Sequence, residues 1–156
     1  SVFDADALNI LAENKTWLNF VPKQSIFTPH LKEFERLAGK FNDHFSLMAL
    51  AKDFSKKYEI YLILKGAHAM IITPTGNVYF NSTGNPGMAT GGSGDVLTGI
   101  AGSLLAQSYS PLEVCLMAVY LHGLAGDMAA EKLGFESLIS GDIIDHLGMA
   151  FKSLYE

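Results

Sequence analysis

The chain has 156 residues, of which 49% are hydrophobic and 17% charged, with a formal net charge of −5. That length can bury the core of one ordinary domain, and the composition excludes an intrinsically disordered chain. No basic cluster is present, which argues against a nucleic-acid partner but leaves room for a small phosphorylated ligand.

The opening Ser1-Val2-Phe3 reads as the end of a buried strand running into the loop Asp4-Ala5-Asp6, so further sequence is expected upstream. Ala5 to Glu13 has a short helical pattern. Ser25-Ile26-Phe27-Thr28 is β-prone and closed by Pro29. A helix follows, with Thr28 as the expected cap, Pro29 in its first turn and Gly39 at its end. Asp43 is expected to cap the next helix, in which Leu47, Leu50, Ala51, Phe54 and Tyr58 form a core stripe. Ile60 to Leu64 is a continuous apolar strand of the kind buried in a parallel sheet. Ala69 to Thr73 and Val78 to Phe80 read as a hairpin around Pro74-Thr75-Gly76-Asn77.

The remaining expected elements are helices. One runs from about Ser93 to Gln107, and a second from Pro111 to Leu133 has Leu116, Val119, Tyr120 and Leu124 on one face. A third is capped near Ser140-Gly141-Asp142 and continues through Ile143, Leu147 and Phe151. No apolar run is read as reaching the length of a membrane span and no signal peptide is read, so the expectation is a cytoplasmic protein with no membrane contact. Cys115 has no second cysteine to pair with and lies among Val114, Leu116 and Met117, the setting of a small buried hydrophobe. Strands alternating with helices predict an α/β fold with helices around a largely parallel sheet, forming one structural unit over 1–156.

The glycine-dense run from Gly84 to Asp95 carries the chemistry. Gly91-Gly92-Ser93-Gly94 sits where a helix should begin, and a helix N-terminus offers unpaired amides to an anion. Asp95 inside that anion hole has two readings. It complements the helix dipole, or it takes a proton from a hydroxyl while the amides hold a phosphate. The surrounding glycines favour the second. The run matches neither the common phosphate-binding loop nor the dinucleotide fingerprint.

Lys65-Gly66-Ala67-His68 follows the apolar strand, at the strand end where ligands gather in parallel α/β sheets. Lys65 is either a solvated lysine or a phosphate partner. His30 stands at a similar strand-to-helix turn, as a surface polar residue or a site residue. Asp4 and Asp6 are loop or capping carboxylates, or they approach a magnesium–phosphate group through water. His44, His122 and His146 have no metal-ligand spacing, so no metal site built from protein side chains is expected, and His122 on its apolar helix reads as structural.

Taken together, Phe3-Asp4-Ala5-Asp6-Ala7-Leu8-Asn9, Thr28-Pro29-His30, Leu64 to His68, Gly84 to Ala89, Gly91 to Leu97 and His122 to Asp127 resemble the ADP/ATP-dependent NAD(P)H-hydrate dehydratase family of the ribokinase-like superfamily. The resemblance spans essentially the whole chain but only the C-terminal part of the family's domain. It implies a partial ribokinase-like layered fold and repair of hydrated NADH or NADPH, with ADP or ATP as co-substrate and Mg2+ as cofactor. Carried over, Lys65, Gly66, Ala67, His68, Ala69 and Gly94 contact the nucleotide, His30 and Asp95 contact the hydrated dinucleotide, and Asp95 is the general base. An upstream half normally completes the sheet, so an open edge and apolar surface are expected, covered by that half or by a second copy in a homo-oligomer. A ribokinase-like small-molecule kinase and a non-catalytic nucleotide-binding fragment are the alternatives.

Overall fold

The computed structural model describes residues 1–155. The chain runs β1 (Val2–Phe3), α1 (Ala5–Glu13), β2 (Ile26–Phe27), α2 (Leu31–Ala38), α3 (His44–Tyr58) and β3 (Tyr61–Leu64). It continues with β4 (Met70–Ile72), β5 (Val78–Phe80), α4 (Ser93–Ala106), α5 (Pro111–Leu133) and α6 (Ser140–Lys152). Short 3-10 turns occupy Lys15–Phe20 and Pro86–Met88.

The five strands lie in one sheet in chain order. β1, β2 and β3 are parallel, and the β4–β5 hairpin extends β3 in antiparallel sense. The expected α/β layering is present, with the parallel strands on one side of the sheet and the hairpin on the other. Successive strand residues point to opposite faces. Phe27, Leu62, Leu64 and Ile72 face α1, α2 and α3, where they meet Leu8, Phe34, Leu37, Leu47 and Phe54. Ile26, Ile63 and Ile71 face α4 and α5, against Leu97, Ile100, Ala101, Val114 and Ala118.

Side-chain caps start α3 and α5. Asp43 caps α3, with its Oδ1 accepting from Ser46 N at 2.7 Å. Ser110 caps α5 ahead of Pro111 and exchanges hydrogen bonds with Glu113. The cap of α2 is a correction, because His30 fills the position expected for Thr28. Thr28 is fully buried, and its hydroxyl donates to Phe3 O at 3.3 Å, linking β2 to β1.

Helix α5 brings two further corrections. Its core side is Val114, Cys115, Ala118, Val119, Leu121, Ala125 and Ala129, so of the expected face Val119 is buried, Leu116 and Leu124 are partly buried and Tyr120 is 39% exposed. A helix apolar on most of its circumference has no sharp stripe to read. Its 23 residues, with a mean hydropathy of 1.3 over an 18-residue window, also suffice by length and composition to cross a membrane, although half of that window is buried inside the protein.

Candidate active site

The carboxyl ends of the three parallel strands deliver three polar residues to one edge of the sheet. Asp4 follows β1, His30 follows β2 and Lys65 follows β3. Lys65 N donates to Pro29 O at 2.9 Å, and His30 and Lys65 form a parallel bridge that carries the pairing one step past the strands. The backbone turns sharply at Ala5, whose φ of +46° is a left-handed conformation that a residue with a Cβ seldom takes. That turn fixes the direction in which Asp4 leaves β1.

Asp4 is the hub of the cluster. Its Oδ1 accepts from Lys65 Nζ at 2.7 Å and its Oδ2 from Thr98 Oγ1 at 2.8 Å. Burial pushes the carboxyl pKa up, but the Lys65 and Thr98 hydrogen bonds and the Lys65 charge outweigh it and hold the pKa below the ordinary value. Lys65 is thereby parked against the start of α4, where a Cβ at Gly94 would stand 3.4 Å from Nζ and 3.8 Å from Asp4 Oδ2. Thr98 was missed in the sequence. Its only signal is a polar residue one turn after Gly94, between the apolar Leu97 and Ile100.

The first turn of α4 is built for approach. Gly92 is its N-cap at φ +85°, and a Cβ there would meet Ser140 Oγ at 2.9 Å, so both conformation and space call for glycine. The intrahelical ladder starts with Val96 N donating to Gly92 O, which leaves the Gly94 and Asp95 amides ahead of it. Ser93 lies inward: its amide donates to Thr90 O and its hydroxyl contacts His122 Nε2 at 3.2 Å. Its side chain therefore faces the core rather than the expected anion hole. His122 Nε2 also lies 2.9 Å from Ser93 O, a contact that requires the ring to donate. Burial lowers the His122 pKa, the Ser93 carbonyl opposes that shift and the Lys65 charge adds to it. The ring is thus a neutral structural clip, as its apolar helix suggested.

Asp95 is exposed in that first turn. It borders an apolar cavity of about 460 Å³ between α4 and α6, lined among others by Val96, Ile100, Leu147 and Phe151. His30 is held by its capping role, with Nδ1 accepting from Glu33 N at 3.2 Å and Glu33 Oε2 accepting from His30 N at 2.8 Å. The His30 ring remains about half exposed, with Nε2 3.5 Å from the buried Glu33 carboxylate. Glu33 was also missed, although its spacing three residues after His30 is that of a capping box.

The other expected residues are placed as follows. Gly66, Ala67 and His68 form an exposed loop between β3 and β4, and Ala69 packs partly against the α4–α5 side of the core. Asp6 is exposed on α1. Among the described residues no group of three or more His, Cys, Asp or Glu side chains is arranged to hold a metal. Cys115 is buried, and burial pushes its thiol pKa far up, in keeping with a packing role.

Known proteins share both the sequence and this architecture. The family model Carb_kinase, described as NAD(P)H-hydrate dehydratase, matches residues 1–148. The bifunctional NAD(P)H-hydrate repair enzyme of Moorella thermoacetica is 41% identical over 160 residues, covering 100% of this chain and 30% of the relative. The structure of ADP/ATP-dependent NAD(P)H-hydrate dehydratase from Bacillus subtilis, co-crystallised with ATP/Mg2+, superposes with a TM-score of 0.82 at 30% identity, covering 97% of this chain and 54% of that one. A ribokinase-like superfamily protein from Enterococcus faecalis gives 0.80 at 32% identity, covering 97% and 52%. This chain therefore spans about half the length of the solved structures it matches and less than a third of the Moorella relative. It has the ribokinase-like fold over that span, and by sequence and architecture it belongs to the NAD(P)H-hydrate dehydratase family.

Proposed function

We propose that the chain carries the nucleotide site and the general base for dehydration of hydrated NADH or NADPH at the expense of ADP or ATP. The observation that carries this reading is the junction of Lys65, anchored by Asp4, with the first turn of α4, one residue ahead of the exposed Asp95. Lys65 to Ala69 and Gly94 bind the nucleotide, with the amides of the glycine segment and the Lys65 ammonium on its phosphates. His30 and Asp95 bind the hydrated dinucleotide.

In the first step the ring hydroxyl attacks the terminal phosphorus. Asp95 takes the hydroxyl proton as the O–P bond forms, and the shortened nucleotide leaves. In the second step the ring C–O bond breaks, phosphate departs and a neighbouring ring proton is lost, which restores the dihydronicotinamide. Phosphoryl transfer of this kind relies on positioning and charge neutralisation, which are what a lysine, a helix N-terminus and a nearby base supply.

Mg2+, when bound, neutralises phosphate charge. Asp4 already spends both oxygens on Lys65 and Thr98, so the ion fits here as a companion of the nucleotide phosphates, approached by Asp4 or Asp6 through water. The apolar cavity beside Asp95 and the open β1 edge would be covered by the remainder of the domain or by a second copy.

The test is to incubate the chain with hydrated NADH, Mg2+ and ADP or ATP and to follow recovery of NADH absorbance. Asp95→Asn should lower the rate by about 10²–10⁴-fold while nucleotide binding persists. Nucleotide binding with no recovery would assign the chain to the nucleotide-binding fragment reading. Phosphorylation of an unrelated alcohol alone would assign it to the small-molecule kinases.

A further inference from the structure

Helix α5 grips the glycine-dense segment at both ends. His122 holds Ser93 at one end. At the other, Asp127 Oδ2 accepts from Gly84 N at 2.9 Å and Oδ1 accepts from Asn85 Nδ2 at 2.8 Å. Asn85 Oδ1 in turn accepts from Gly87 N at 3.0 Å and caps the Pro86–Met88 turn. Thr83 Oγ1 donates to Tyr120 O at 2.9 Å, fixing the approach to the segment on the same helix. Between the grips α5 presents Gly123, where a Cβ would stand 2.7 Å from the Thr83 carbonyl carbon and 2.9 Å from Gly84 N. The segment thus lies directly on the helix backbone, oriented by a carboxylate that spends both oxygens on it.

We propose that Asp127 is a positioning residue of the candidate site: by holding Gly84 and Asn85 it sets the path of the segment up to Gly92, and so the placement of the α4 first turn that presents Asp95. The inference rests on the dehydratase reading for its catalytic consequence, but its structural content can be measured separately. Asp127 acts through the segment and touches no reacting atom. Charge-assisted bonds from both oxygens add direction as well as strength.

Asp127→Asn keeps the size of the side chain, yet an amide cannot accept from both donors, because its NH2 must face one of them. Combining it with Asn85→Asp restores a matched set. The new amide at 127 accepts from Gly84 N and donates to the new carboxylate at 85, whose other oxygen still accepts from Gly87 N. In the full chain, Asp127→Asn should speed amide hydrogen exchange at Gly84, Gly87 and Val96 by about ten-fold or more, and the exchanged pair should return it toward wild type. Turnover of hydrated NADH should fall by about 100-fold. ATP affinity should weaken as well, because the α4 first turn that Asp127 places also carries Gly94, assigned above to the nucleotide. Unchanged exchange at Val96 in Asp127→Asn would overturn the proposal, as would an exchanged pair that melts like wild type without recovering. If the wild-type chain restores no NADH, the dehydratase reading falls, and exchange at Val96 still decides whether Asp127 places the α4 first turn.

Discussion

The two faces of the sheet are packed by opposite means. Against α1, α2 and α3 the filling is large: Phe27, Phe34 and Phe54 are buried, and the Phe34 and Phe54 rings meet edge-on at 5.7 Å. Against α4 and α5 it is aliphatic, with Ile63, Ile71, Leu97 and Ile100 beside Ala101, Cys115 and Ala118, and beyond the sheet α5 continues in small residues, Gly123, Ala125, Gly126 and Ala129. Large side chains fill volume and fix distances between layers. Small ones let backbone come down onto backbone, which is how a loop and two helix starts converge on one place. One face supplies stability, and the other supplies position.

Three substitutions would break or sharpen that contrast. Phe34→Ala, on the large-residue face, should cost about 3–5 kcal/mol in denaturant unfolding. Measured where the variant is still folded, its nucleotide affinity should match wild type, and a parallel loss of affinity would show that the faces are not separable. Gly123→Ala should cost less, about 1–3 kcal/mol, because the added methyl meets the Thr83 hydroxyl and also the Thr83 and Gly84 backbone, which cannot swing away. Its turnover should fall further than its stability does, and a variant that melts early but turns over normally would contradict the positional role of this face.

The smallest effect belongs to Asp4, which ties β1 and β3 to α4. Its carboxyl is held below the ordinary value, so the unfolded chain binds that proton more readily than the folded protein does. The stabilisation is therefore complete above about pH 4 and is lost as the pH falls through the lowered value. Asp4→Asn should flatten this acid limb in a series of unfolding midpoints, and superimposable limbs would remove the carboxylate from the stability of the fold.

Much of this architecture can be read along the chain. The bounds of α1 follow from its helical pattern, and the start of α5 from Pro111. Strand alternation was legible too, since Leu62 and Ile63 must point opposite ways. Lys65, His30 and the glycine segment stood out because strand ends and helix starts are where such residues act. The partners that orient them did not. Thr98 and Asp127 look like ordinary polar residues of a helix, and only tertiary packing brings them to Asp4 and to Gly84. His30 as a cap was hidden because an imidazole is an uncommon cap. The face of α5 was misread because alanine and glycine leave almost no hydrophobic signature.

The strands lie in the sheet in the order in which they occur in the chain, so each pairs with its immediate predecessor. The polar cluster is different, since Asp4 reaches Lys65 across 61 positions and Thr98 across 94. Closing such long loops costs entropy that nearer pairings incur less, so these contacts are expected to form late in folding. Lesions in the cluster should then hasten unfolding and leave the folding rate nearly untouched. On that expectation the sheet is in place before the polar cluster closes, and the cluster opens first on unfolding.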